Sequence, residues 1–435
     1  MAVINLVLAI VCTASESNVN LPGLIPNLYP LAKANRPFLF KRLVVAFDQR
    51  YAAHIQKSKY TSLADDFVVY YLRQELQALI DMWRATGNLT YLQQADEVVF
   101  KAMEDAKSNQ RQLLWHNQSR GSWPCFFLKE TEKQTGGHNQ ICDFQGASGF
   151  LMVADALKQS KYEGWKEIAS FVEKNIVEKW LFYTPSIKPE HFQGPDSRIY
   201  LLAALDTSRD KREHFATICM DLHKLGYSKY SYRQWAECLT DLYIGLRSDT
   251  SELPPASWGL GRYAPSDWGV VPRKSTGGYV WYFVPDWKRE NKIAVLDTAH
   301  ANRTVWLATK AYYEGYVDKA RIDSFINTLK KQVWKPDKNP FYFANFIDGS
   351  DIPYHDPKYG DLEPGYKGHV WFGWHRLAAY DNIVKDIFLS LAYDLTNGGP
   401  NMSLSQNKTM ENAPLCFYAW GARLLASEGE PQVFP

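Results

Sequence analysis

A chain of 435 residues that is 46% hydrophobic and 22% charged holds enough apolar material for a sizeable core, and its length admits one large domain or two or three ordinary ones. The formal net charge of +2, from 49 Lys and Arg against 47 Asp and Glu, argues against a nucleic-acid partner, whose binding face would be strongly basic. The aromatic fraction of 14%, made of 15 Trp, 26 Tyr and 22 Phe, is high; most of these rings are expected to fill the core, and such richness also suits a groove in which rings stack on sugar faces.

The chain opens with an apolar run, Val3 to Ala14, that ends in small residues. It is too short to span a bilayer and fits a signal-peptide core, so residues 1–16 are read as a leader and 17–435 as a single domain. No later segment reaches membrane-spanning length. Loss of Cys12 with the leader leaves Cys125, Cys142, Cys219, Cys238 and Cys416, an odd set in which Cys125 can pair with Cys142, or Cys219 with Cys238. No cysteine spacing resembles a zinc site, and no cofactor is expected. Glycosylation triplets begin at Asn88, Asn117, Asn302, Asn401 and Asn407, in keeping with a secreted protein. Asn302 lies among polar helix-mouth residues and is expected to carry no glycan.

Asp65 to Asp105 then reads as a helical hairpin. Leu76, Leu79, Ile80 and Trp83 recur at helical spacing, Gly87-Asn88 breaks the pattern, and Tyr91, Ala95, Val98 and Phe100 begin the return. The plan repeats. Ala147 to Leu157 is followed by Trp165 to Trp180, Ser197 to Leu205 by Glu213 to Leu225, then Tyr232 to Leu246, and Asp297 to Tyr313 by Asp318 to Val333, with further helices starting near Trp371 and Pro414. Parallel-strand signals are almost absent, so the fold class is all-α, with six or seven hairpins closing into an alpha/alpha toroid. Leu253 to Trp287 and Pro336 to Gly368 are aromatic-rich and long, and are expected to form functional loops or a short β-ribbon over the cleft.

Three helices are polar at the mouth and apolar along the body, which points to inward-facing helices sharing one cleft. The first is entered through Gly136-Gly-His138-Asn139-Gln140 and carries Asp143; the second opens with Asp297-Thr-Ala-His300-Ala-Asn302-Arg303; the third opens with His369, Trp371, His375 and Arg376 and runs towards Tyr380. Steps of three place Asp297, His300 and Arg303 along one face. Asp143 and Asp297 also fit plain helix caps. Amide, imidazole and guanidinium groups without a dense carboxylate cluster suit a substrate that itself bears a carboxylate. In β-elimination on a polyuronate the carboxylate must be neutralised before the C5 proton becomes acidic, a base must take that proton, and an acid must protonate the departing O4.

The Gly-His-Asn-Gln entrance, the Asp-Thr-Ala-His-Ala-Asn-Arg helix start and the hairpin plan resemble the alpha/alpha toroid polysaccharide lyases that cleave alginate or glucuronan. That resemblance implies a monomeric secreted lyase acting on an acidic polysaccharide. It implies that Asn139 neutralises the carboxylate with Arg303, that His138 or His300 acts near the C5 proton, and that a tyrosine, Tyr366 or Tyr263, serves as acid. Gln140, Asn302, His369, Trp371, His375, Arg376 and Arg262 are the expected substrate-binding residues. A toroid glycoside hydrolase using Asp143 and Asp297, with Asp196 or Glu237 as substitutes, is the rival enzyme. A carbohydrate-binding protein without catalysis is the third reading. If the leader is removed, N-terminal sequencing of the mature protein from its native host should begin between Ser15 and Asn18.

Overall fold

The computed structural model describes residues 36–57, 66–108, 111–113, 118–120, 140–182, 187–193, 197–205, 209–246, 269–281, 295–338, 341–351, 354–356, 360–362, 368–397 and 413–427. Thirteen α-helices and three two-stranded antiparallel hairpins make up the regular structure there, so the protein is all-α in class. The helices are α1 (Arg36–Lys57), α2 (Asp66–Thr86), α3 (Leu89–Ser108), α4 (Gln140–Gln159), α5 (Trp165–Val172), α6 (Glu178–Leu181) and α7 (Ser197–Ala204). They continue with α8 (Arg209–Leu225), α9 (Tyr232–Ile244), α10 (Thr298–Tyr313), α11 (Lys319–Thr328), α12 (Asn382–Thr396) and α13 (Ala413–Ala426). A single π-helical turn, Glu173–Val177, joins α5 to α6, and another, Leu329–Val333, extends α11. Among the described residues no helix is long and apolar enough to cross a membrane.

The helices fall into two kinds. In α4 and α10 nearly every side chain is buried, from Gln140 to Leu157 and from Thr298 to Ala311 with the exception of His300, as expected of helices surrounded by others. The contacts of this kind run from α2 to α4, α4 to α8, α8 to α10, α10 to a 3₁₀ turn over Trp374–Ala379, from that turn to α13, and from α13 back to α2. Amphipathic helices cover the outside of these pairs. α3 lies on α2 and α4, α5 on α4, α9 on α8 and α10, α11 on α10, α12 on the 3₁₀ turn and α13, and α1 on α13.

Local chemistry sets the ends of these elements. Asp297, Asp318 and Asp381 cap α10, α11 and α12 by accepting backbone N–H bonds from His300, Arg321 and Val384. Gly226 and Gly315 close α8 and α10 at φ of +94° and +80°, and the next residues, Tyr227 and Tyr316, donate back to Leu222 and Ala311, a glycine stop that side chains with a Cβ fit poorly. The approach of α2 to α4 depends on Gly146 and Gly149. A Cβ on the first would sit 2.4 Å from Val69 Cγ1 and on the second 2.9 Å from Arg73 Cα.

Most of the expected hairpins match the helices. The break at Gly87-Asn88 separates α2 from α3, and within the first aromatic segment β1 (Val271–Arg273) pairs antiparallel with β2 (Gly278–Val280), a short ribbon of the kind expected there. Three corrections follow. The helix expected to run from the His369 region to Tyr380 is only the 3₁₀ turn, because Gly373 lies against α10, where a Cβ would meet the Asn302 carbonyl at 1.9 Å; the true helix starts after the Asp381 cap. Asp143 is no cap. Its carboxylate takes Lys179 Nζ at 2.6 Å and Trp180 Nε1 at 2.7 Å and so ties α4 to α6. Cys219 and Cys238 form no disulfide and are buried thiols on α8 and α9. Helix α1 was not anticipated from the sequence, and Cys125 lies outside the described residues.

The interior holds charge as well as apolar surface. Asp81 of α2 accepts Arg376 Nη1 and Nη2 at 3.0 and 2.5 Å and Arg423 Nη1 at 2.7 Å, all three residues being buried. Removing one partner of such a cluster strands the others in a low-dielectric site. Asp81→Asn should therefore lower stability by about 3–5 kcal/mol, measured by urea unfolding; a loss under about 1 kcal/mol, the range of an exposed pair, would show the cluster to be incidental.

Candidate functional site

The first turn of α10 presents the most reactive arrangement. Its cap, Asp297, accepts the His300 backbone N–H through Oδ1 at 2.8 Å and the ring Nδ1–H through Oδ2 at 2.6 Å. His300 keeps 32% of its side-chain surface exposed and Asp297 17%, so the pair stands at an open mouth. Burial opposes the Asp297 charge, but the His300 ring, its two hydrogen bonds and Arg303 outweigh it and hold the carboxyl below its usual range. A proton held on Nδ1 leaves the imidazole lone pair on Nε2, the orientation a general base requires.

One turn deeper, Arg303 donates Nε to Gln145 Oε1 at 3.2 Å and Nη2 to the Tyr70 hydroxyl. Gln145 is oriented by its own amide, which donates to the Tyr70 carbonyl at 2.8 Å. Its Oε1 therefore accepts, and it accepts twice, from Arg303 and from His214 Nε2 at 3.0 Å. That assigns the His214 proton to Nε2. Burial, then the charges of Arg73 and Arg303, push the His214 pKa well down, so it stays neutral. Tyr70 is half-buried, whereas Arg303 is 5% and Gln145 0% exposed, so exposure falls from the His300 mouth inward.

Below this lies Glu213, whose Oε1 accepts the Thr304 hydroxyl at 2.6 Å with Arg209 at 3.6 Å. Burial raises its pKa to about 7, against the pull of Arg209 and Thr304.

The expected site residues divide clearly. His300 and Arg303 share the mouth. Asn302 points the other way, with its Nδ2 donating to the Ala299 and His369 carbonyls at 2.9 and 2.8 Å and its Oδ1 accepting from Gly373 N at 3.1 Å. It is fully buried, clamps the segment 368–374 to α10, and has no surface for a glycan. His375 and Arg376 are buried at the far end of the interior, where Arg376 serves Asp81. Gln140, His369 and Trp371 are also buried, at 8%, 2% and 6% exposure, and Gln140 donates to the Ala204 carbonyl. His138, Asn139, Tyr263, Tyr366, Arg262 and Asp196 lie outside the described residues. Tyr70, Arg73, Gln145 and His214 were missed. The sequence does carry a polar stripe, Tyr70, Arg73, Gln77 and Asp81, at steps of three and four along α2, which marks an inward face of that helix but not its partners Gln145 and His214.

A cleft of about 770 Å³ opens elsewhere, between the C-terminal ends of α8 and α10, lined by Lys224, Arg233, Glu237, Glu314 and Arg321. Its charges answer one another, Arg233 with Glu237 and Lys224 with Glu314, and it does not reach His300. Among the described residues no group of three or more His, Cys, Asp or Glu is placed to hold a metal ion.

Comparison of the chain with protein-family models, with curated proteins and with solved structures finds no match.

The Glu213 carboxyl gives a pH test. Because its folded pKa of about 7 exceeds the ordinary 4.5, the fold favours the protonated form, and the stability this contributes is complete below about pH 4.5 and lost as pH rises through 7. Glu213→Gln should remove that loss, so the variant should gain on the wild type by of order 2 kcal/mol between pH 5 and 8. Parallel stability curves across that range, from calorimetry, would refute the assignment.

Proposed function

We propose that this protein is a polysaccharide lyase that cleaves a polyuronate by β-elimination, on an alpha/alpha toroid of six inner and six outer helical elements. The contacts that lead from α2 round to α13 and back, with amphipathic helices packed on their outside, support the toroid. What carries the functional reading is the His300–Asp297 pair standing beside the Arg303–Tyr70 contact at one half-open mouth.

Each step of the elimination has a group suited to it. Arg303 offers a planar guanidinium to the uronate carboxylate, which makes the C5 proton acidic. His300, held by Asp297 in the tautomer with its lone pair on Nε2, takes that proton. The Tyr70 hydroxyl accepts a bond from Arg303 and, as the donor in the elimination, gives its own proton to O4 as the glycosidic bond breaks. The C5–H electrons form the C4–C5 double bond, the C4–O4 bond leaves with its electron pair, and one proton arrives on O4. Tyr70 takes the acid role expected of Tyr366 or Tyr263, Asn139 remains the residue expected to help Arg303 neutralise the carboxylate, and His138 remains the alternative to His300 near the C5 proton.

The hydrolase reading needs two carboxylates flanking the bond. Asp143 is 3% exposed and engaged with Lys179 and Trp180, and Glu237 is paired with Arg233 on the surface. Of the carboxylates considered for that pair, Asp297 alone stands at the mouth, where it is engaged by the His300 ring; Asp196 lies outside the described residues. Secretion is part of the same proposal, supported by the apolar leader and by the exposed Asn88 triplet at the turn between α2 and α3.

On a panel of alginate, glucuronan and neutral glucans, the wild type should release products absorbing in the ultraviolet from a uronate polymer alone. His300→Ala and Tyr70→Phe should each lower that rate by about a hundredfold or more while retaining the fold, and Arg303→Lys should impair turnover although it keeps the charge. Reducing ends without ultraviolet absorbance, or full activity in His300→Ala, would replace the lyase reading with the hydrolase one.

A further inference from the structure

Arg73 is the most unusual charge in the interior. It is 0% exposed, donates Nε to Ser148 Oγ at 3.2 Å and Nη1 to Gln77 Oε1 at 2.9 Å, and lies with its guanidinium 4.3 Å from the ring centres of both Trp306 and Phe372. Its Nη2 has no hydrogen-bond partner among the described residues, and no carboxylate there forms an ion pair with it. Other interior cations have such pairs: Arg376 and Arg423 share Asp81, and Lys310 has Asp221 at 2.6 Å. A buried charge without a counter-ion is costly, and two aromatic faces with two neutral acceptors offset only part of it.

The position of Arg73 gives that cost a use. Ser148, which accepts from Arg73, donates its hydroxyl to the Gln145 carbonyl, and the Gln145 side chain holds Arg303 and His214. Arg73 therefore lies directly inward of the mouth, on the same face of α2 as Tyr70 and one turn further in. Its charge already acts there, since it is among the causes that keep both His214 and His375 neutral, after burial.

We propose that Arg73 is a specificity-determining positioning residue whose uncompensated charge, held beneath the Arg303–Tyr70 pair, selects sugars that carry a carboxylate over neutral ones. The inference rests on the reading of the mouth as a uronate site. Arg73 makes no contact with the sugar; it acts through the field it sets across a water-poor interior. At an effective dielectric of about 20, a fixed charge roughly 10 Å from a carboxylate is worth about tenfold in affinity. Because the carboxylate is present both before and during reaction, the effect should fall on KM and leave kcat nearly unchanged.

The test uses the full-length protein with Arg73→Met, which keeps an apolar stem between Trp306 and Phe372, together with Arg73→Gln and Arg73→Lys. Sodium glucuronate and glucose serve as probes in calorimetry and in thermal unfolding, alongside elimination kinetics on the polyuronate. Met and Gln should each weaken glucuronate binding and raise KM about tenfold, keep kcat within about twofold, leave glucose binding unchanged and lose most of the unfolding-temperature rise that glucuronate gives the wild type. Lys should restore the preference. A lower unfolding temperature with the glucuronate-induced rise and KM both intact would reduce Arg73 to a structural residue and overturn the inference alone. A wild type that binds glucose as well as glucuronate would overturn the uronate reading and this inference with it.

Discussion

The Asp81 carboxylate, holding Arg376 and Arg423 at once, is the interaction on which the arrangement turns. It joins α2 to the 3₁₀ turn over Trp374–Ala379 and to α13, partners 295 and 342 residues further along the chain. A buried carboxylate has few geometries that satisfy two guanidiniums, so the relative rotation of those elements is narrowly set. The aromatic faces reinforce it: Arg376 stacks over Trp420 at 4.1 Å, and Trp420 donates its Nε1 to the His375 carbonyl at 2.7 Å. Burial, with Arg84 nearby, pushes the Arg423 pKa down to about 9 in spite of Asp81, a sign of how little water reaches this region.

Polar and charged groups continue from there along the inward sides of α2, α4, α8 and α10. Lys310 with Asp221 and Thr304 with Glu213 link α10 to α8, and Ser148 and Gln145 link α4 to α2 and α10. An interior built this way specifies its neighbours more tightly than apolar contact alone, because each misplaced helix would leave a buried donor or acceptor unmet. Buried at the Asp81 end and part-exposed at the His300 end, it sets its charged side chains inward of a half-exposed imidazole.

Periodicity made the helices legible, since apolar residues at steps of three and four survive in any all-α architecture. The Asp297, His300 and Arg303 spacing was legible for the same reason: a cap and two residues at steps of three must share a helix face. Tyr70, Gln145 and His214 were not, because their role depends on which helices meet across the interior, and no local pattern encodes that. Asn302 illustrates the converse. It sits in the most polar stretch of the chain, yet a helix turns it 100° per residue away from its neighbours, and its amide serves backbone groups of residues 369 and 373. Polarity at a helix mouth identified the region, and only the packing of Gly373 on α10 separated the side chains that face the opening from those that brace it.

The π-helical turn at Glu173–Val177 bears on how such a protein can change over time. A turn closed by i→i+5 bonds contains one residue more than an α-turn, so everything beyond it is rotated by about 100° relative to an uninterrupted helix. That rotation is what aims Lys179 and Trp180 together at Asp143. Deleting a single residue there would leave a regular helix and carry both side chains off the carboxylate, stranding a buried negative charge on α4. Insertions and deletions, usually absorbed by loops, are in this position read directly by the interior, and the length of an outer helix becomes as constrained as the identity of an inner side chain.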